Sequence, residues 1–144
     1  MDDYFSAATD DEAIAVIGRP SGVSPNDRVE LKMIDPHVMM GSLESLLTGV
    51  PYEEISARPR HARLLRLHDD ESEAVVTISD EFTSALAAAT DDELRAVAGP
   101  WSETEEFWGH ADPAELTGIL MELRDLAVRT LEGGRRLYCW MLIP

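Results

Sequence analysis

Twelve consecutive residues late in the chain hold most of the side chains that can do chemistry. Trp101, Glu105, Glu106, Trp108, His110 and Asp112 bring two tryptophans, three acids and a histidine into one segment. Aromatic walls hold a ligand, and a glutamate–histidine pair transfers a proton or binds a cation. On a helix Trp101, Glu105 and Trp108 lie close to one face, and Glu106 and His110 stand four apart. Two such ligands do not make a metal site and no HExxH stretch occurs, so no metal is expected. Trp101, Glu105, Trp108 and His110 are therefore the candidate ligand-binding residues. The plainer alternative packs the aromatic residues onto the core and turns the acids to water.

A second constellation is Arg58-Pro59-Arg60-His61-Ala62-Arg63, followed by Arg66 and His68. Guanidinium groups grip a phosphate or carboxylate through paired N–H bonds, which makes Arg60 and Arg63 candidate anion-binding residues. The alternative is that these arginines neutralise Asp69–Glu73 and the acidic helix starts, each such pair contributing little. A third group is His37 with Asp35, Glu44, Met39 and Met40, where a histidine near carboxylates can act as a base. The commoner role for a histidine there is a solvated helix start. Cys139 has apolar neighbours on both sides and reads as a small buried hydrophobe, not a nucleophile. The chain has no Walker loop, GxGxxG, GxSxG or RNP-like motif, and no cofactor is expected.

Charge narrows the partners. A net charge of −16 opposes binding to nucleic-acid phosphates and to anionic membrane surfaces, and favours solubility or a basic protein partner. Lys32 is the only lysine, and every other basic side chain is arginine. The longest apolar run, Leu137–Ile143, is far short of the roughly 20 residues that span a bilayer. Met1-Asp2-Asp3-Tyr4 has neither a basic nor an apolar leader region, so a cytoplasmic protein is expected. A lone cysteine rules out an internal disulfide and fits a reducing compartment.

These side chains must be positioned by a fold, and 144 residues with 44% hydrophobic content suffice for one domain with its own core. Tyr4–Ala8 reads as a short strand, and Thr9-Asp10-Asp11-Glu12 as the capping box of a helix stopped by Gly18-Arg19-Pro20. Residues 18–27 are turn-rich. Val29, Leu31 and Met33 alternate with Glu30 and Lys32, the pattern of a half-buried strand. Asp35-Pro36 predicts a helix N-cap and first position, with Met39, Leu43, Leu46 and Leu47 on one face and Gly49 at the end. Ala62–His68 and Ala74–Ser79 read as a strand pair across the acidic turn 69–73. Phe82, Leu86 and Ala89 form a helical stripe beginning at Ser79. Thr90-Asp91-Asp92-Glu93 caps a helix expected to close at Gly99-Pro100, and Ser102-Glu103-Thr104-Glu105 reads as a third capping box. Asp112-Pro113 starts the longest helix, with Leu116, Ile119, Leu120, Leu123, Leu126 and Leu131 in period and Gly133-Gly134 at its end. Arg136–Ile143 is a nearly continuous apolar run, as in a strand covered on both faces. The expected fold is a single α+β domain, with amphipathic helices on a small mixed β-sheet and the C-terminal strand in its interior.

Three stretches resemble the YfbM-like family of small bacterial proteins. They are Tyr4–Ile17 with the helix closing in Leu46-Leu47-Thr48-Gly49, the strand, capped helix and next helix turn of Val75–Leu94, and the long helix, glycine turn and apolar strand of Glu115–Ile143. The resemblance covers the chain except 18–28, 50–73 and 99–112, and implies the α+β fold just described. It implies no activity and no cofactor. The family's helix carries an aspartate, a tryptophan and a histidine at positions that here hold His37, Met40 and Glu44, so no site residue is carried over. The functional expectation is a binding or interaction module that sequesters or regulates a partner, with a basic protein as that partner. The alternative is a small-molecule-binding protein or enzyme with its pocket around Trp101–His110.

Overall fold

The computed structural model describes residues 2–17 and 27–143. Five strands and six α-helices follow one another as β1 (Asp2–Ala7), α1 (Asp10–Ile14), β2 (Arg28–Leu31), α2 (Val38–Thr48), α3 (Tyr52–Ser56), β3 (Leu64–Leu67), β4 (Glu73–Thr77), α4 (Asp80–Ala88), α5 (Asp91–Ser102), α6 (Pro113–Glu132) and β5 (Arg136–Leu142). A 3-10 turn, Glu105–Phe107, lies between α5 and α6. The strands form one sheet in the order β2-β1-β5-β4-β3.

Strand β5 is central, with Tyr4 opposite Cys139 on one side and Val76 opposite Cys139 on the other. Its unbroken apolar run has a simple cause. Successive side chains point to opposite faces, so Leu137 and Cys139 enter one core while Tyr138 and Trp140 enter another. The larger core lies under α2, α4, α5 and α6 and includes Tyr4, Leu43, Phe82, Trp101 and Leu123. The smaller one, on the other face, gathers Phe5, Ala13, Val75, Tyr138 and Trp140. All four strand pairings are antiparallel, where a mixed sheet was expected. A strand covered on both faces is apolar whichever way its neighbours run, so that pattern carried no information about direction.

Local capping holds most helix starts. The Ser79 and Thr90 hydroxyls accept the N–H of Phe82 and Glu93, and the Glu93 carboxylate returns the bond to Thr90. Asp112 accepts from Ala114 ahead of Pro113. Asp35 also caps, accepting from His37 and Val38, but α2 itself begins only at Val38 because Pro36 and His37 form a turn. Gly49 ends α2 at φ 77°, a conformation that suits glycine. Within the α2 stripe Met39 and Leu43 are buried and Leu46 is exposed. In α6 Leu131 is exposed as well, and Ala127 and Thr130 take the inner positions as the face drifts.

Three further expectations are corrected. Met33 is outside β2, at φ 58°, because Leu31 already pairs with Asp2 at the start of β1. Gly99 and Pro100 do not close α5, which continues to Ser102, because Trp101 is pulled fully into the core and donates its indole N–H to the Met39 carbonyl at 2.9 Å. The third capping box consequently does not form. Ser102 sits inside α5 with its hydroxyl on the Gly99 carbonyl, and Glu105–Phe107 has no side-chain cap. Helix α3 was not anticipated. The stop at 18–20 and the loop to residue 26 lie outside the described residues.

A chain truncated after Arg136 is expected to lose its cooperative thermal transition, since β1 and β4 would have no strand between them. Circular dichroism on the truncated protein checks this, and a retained sharp transition counts against it.

Candidate functional site

The segment after α5 separates the two tryptophans expected to share a pocket. Trp101 is 0% exposed, bonds Met39 through its indole and meets Phe107 edge-on at 5.0 Å between ring centres. With both its ring and its N–H committed to the core, it lines no surface cavity. Trp108 is 79% exposed. It sits at φ 54° and ψ 24°, followed by Gly109 at φ 71°. Two left-handed residues in succession turn the chain outward, at a cost of about 1–2 kcal/mol for the tryptophan. Its N–H donates to the Glu105 carbonyl at 2.9 Å, and that of His110 to Phe107 at 3.0 Å.

Glu103, Thr104, Glu105, Glu106, Trp108 and Gly109 line an open depression of about 580 Å³ whose walls are more apolar than polar. His110 is exposed and is not among the lining residues. Of the four candidate residues the structure thus brings Glu105 and Trp108 together, and leaves Trp101 inside and His110 beside the rim. Glu106 acts in a second direction: with Asp35 and Glu53 it adds to the burial that pushes the Tyr52 phenol upward.

The arginine constellation resolves into separate structural ties. Arg60 makes a two-pronged bond to Asp10, at 3.1 and 2.9 Å, and Asp10 also accepts the Tyr138 hydroxyl at 2.7 Å. The Arg60 and Tyr138 bonds hold the Asp10 carboxyl down at about 2, while burial and the Asp10 bond push Tyr138 up to about 12. The two terminal nitrogens of Arg60 are thereby occupied by a carboxylate of its own chain, while its buried Nε has no partner among the described residues. Arg63 is exposed, and its backbone exchanges bonds with Thr77: its N–H donates to the threonine hydroxyl and its carbonyl accepts the Thr77 N–H. The two candidate anion-binding arginines do not converge on a common point.

The third constellation joins the second. Along α2, Gly41 and Glu44 follow His37 at helical spacing, and α3 and the segment 57–63 fold over them. Glu44 is 1% exposed, with Oε2 bonded to Arg58 and Oε1 without a partner. Arg58 reaches on to Glu81 at 3.6 Å. Burial pushes the Glu44 carboxyl up, and Arg58 offsets part of that push. His61 bonds the His37 carbonyl through Nε2 at 2.9 Å, and burial pushes its imidazole down, toward the neutral form that donates this bond. A Cβ at Gly41 would lie 2.6 Å from Tyr52 Cε2 and 3.1 Å from His61 Cε1, so the close approach requires glycine. Met40 is buried in the core. Sequence reasoning placed His37 and Glu44 in one group and Arg58 and His61 in another. Contacts across 14 and 24 residues leave no local signal to join them.

Cys139 and Tyr4 are buried, and burial pushes both far above their ordinary values, so neither is an available nucleophile. Among the described residues no group of three or more His, Cys, Asp or Glu side chains is arranged to hold a metal ion, and no helix is long and apolar enough to cross a membrane. The chain matches no family model, no characterised protein and no solved structure.

Two predictions follow from these positions. Trp101→Ala should lower stability by about 3–5 kcal/mol and Trp108→Ala by less than about 1 kcal/mol, as read by denaturant unfolding. Arg58→Ala should cost about 3–5 kcal/mol at neutral pH, because Glu44 keeps its charge without a counter-ion. The raised Glu44 group binds its proton more tightly in the folded state, so this loss should shrink as the pH falls toward the ordinary carboxylate range. Unfolding curves across that range check the sign.

Proposed function

We propose that this protein is a cytoplasmic binding module that sequesters or regulates a basic partner protein. The observation that supports the reading is where its positive charge sits. Between Arg95 and Arg124 there are six acids and neither lysine nor arginine. Five arginines elsewhere are paired with acids of the chain itself: Arg58 with Glu44, Arg60 with Asp10, Arg124 with Asp91, Arg135 with Glu12 and Arg136 with Asp80. No ion pair among the described residues involves Glu103, Glu105, Glu106, Asp112 or Glu115. An uncompensated field of this sign speeds and orients encounters with cations and opposes nucleic acids and anionic lipids. The enclosed pocket of the alternative reading has lost one wall to the core, which favours an open docking face. Kinship with the YfbM-like family is part of the same proposal. It is supported by the order of α2 ending at Gly49, long α6, glycine turn and central β5.

An oligolysine peptide titrated against the protein tests this reading. Replacing Glu103, Glu105 and Glu106 by Gln should weaken binding at least tenfold, whereas the equal neutralisation of Asp69, Glu71 and Glu132 should leave it within about twofold. Binding to the unmodified chain should fall steeply between roughly 0.1 and 1 M salt, as the screening length drops from about 10 to about 3 Å. Equal losses from both triple variants, or an affinity indifferent to salt, would show that the acids only solubilise.

A further inference from the structure

The depression beside the 3-10 turn has a feature that acidity alone does not explain. Of three tryptophans, Trp101 and Trp140 are buried and Trp108 stands in water. A large aromatic side chain left this exposed is unusual for a surface with no partner to cover it. The backbone that carries the indole is held in place. The turn that carries it closes through the Trp108 N–H on Glu105, and the preceding residue, Phe107, is packed edge-on against the buried Trp101. A side chain carried on held backbone adds no loop-ordering cost to binding, leaving only its own rotamer freedom to be lost.

Charge selects the occupant. The depression is lined by Glu103, Glu105 and Glu106 and by no basic side chain. An anion would be repelled, and a neutral apolar ligand would bury carboxylates with nothing to offset them. A cation satisfies both walls. Arginine fits better than lysine, because a planar, weakly hydrated guanidinium stacks on an indole face while its edge donates paired bonds to a carboxylate. The open shape of the depression suits a side chain presented by a protein surface or an extended segment, not an enclosed small molecule.

We propose that Trp108 anchors a docking site for an arginine side chain of a partner protein, with the indole face against the guanidinium and Glu103, Glu105 and Glu106 supplying the counter-charge. This rests on the basic-partner reading above and names the group that the partner brings. Trp101 and Trp140 are buried, so a peptide-induced change in emission that Trp108→Leu lacks is assigned to Trp108, and affinities are read by calorimetry so that the variant without the indole can be compared.

The test uses two blocked peptides that differ only in carrying arginine or lysine, each alternating with glycine. The arginine peptide should shift and quench the emission and bind at least threefold more tightly than the lysine peptide. Trp108→Leu should lose at least tenfold in arginine-peptide affinity and most of the preference over lysine, with its thermal midpoint unchanged. Trp108→Phe should keep part of both. If Trp108→Leu binds as the unmodified chain does, while the glutamine triple at 103, 105 and 106 does not, the anchor is overturned and the basic-partner reading stands. If neither variant changes binding, or neither peptide binds, both are overturned. A concentration-dependent dimer in sedimentation, with a blue-shifted emission that Trp108→Leu abolishes, would assign the depression to a second copy of the chain and overturn the arginine site.

Discussion

The pairing of β5 with β1 on one edge and β4 on the other is the constraint from which the rest of the architecture follows. The partners come from the beginning and the middle of the chain, so among the described strands β5 alone links two otherwise separate strand pairs. Its alternation supplies both cores at once, Leu137 and Cys139 to the helical side and Tyr138 and Trp140 to the opposite side. Flanking contacts fasten it further. Arg135 bonds both the hydroxyl and the carbonyl of Ser6, and Trp140 donates its indole N–H to Glu73 at 2.9 Å. The Tyr138 hydroxyl reaches Asp10, and through it Arg60, so the strand also anchors α1 and the segment that leads into β3.

A second principle organises the charges. Acids outnumber lysine and arginine 28 to 12, and several of the scarce arginines pair with acids from other parts of the chain, one of them the buried Glu44. Arg58 compensates Glu44 beneath α3, Arg60 compensates Asp10 beside Tyr138, and Arg124 ties α6 to the first turn of α5. Each of these assignments removes positive charge from the solvent-facing surface. None of these pairs lies in the cation-poor stretch around the 3-10 turn. Around Gly41 the packing is tight enough to exclude a methyl group, so the clamp over α2 is set by shape as well as by charge.

What could be read in the sequence was what is decided locally. Caps at Ser79, Thr90 and Asp112 depend on neighbours two or three residues away, and each formed. The apolar run of β5 and the stripe of α6 were visible for the same reason. The length of α5 was not, because it depends on Trp101 reaching Met39 across 62 residues, and that contact outweighs the stop signal of Gly99-Pro100. Strand direction was invisible in an apolar run. Of the residues singled out in 101–112, the structure brings Glu105 and Trp108 to one depression. Which tryptophan would be inside depended on the left-handed turn at Trp108, for which tryptophan has no intrinsic preference. The union of His37 and Glu44 with Arg58 and His61 had no counterpart in local pattern at all.

Strand β3 forms one edge of the sheet, and its outer side is thinly protected. Leu64 and Leu67 are exposed there, with a register shift between Leu64 and Arg66. Such an edge offers unpaired backbone groups to a neighbouring molecule, and a bulge or a charged side chain only partly blunts it. A net charge of −16 sets copies of this protein to repel one another. That defence is a property of the solution and not of the fold, and it fails near the isoelectric point of about 4.4. Acidification to that point removes the charge that shields the edge, while Asp10, held down at about 2, still keeps its charge and its bond to Arg60.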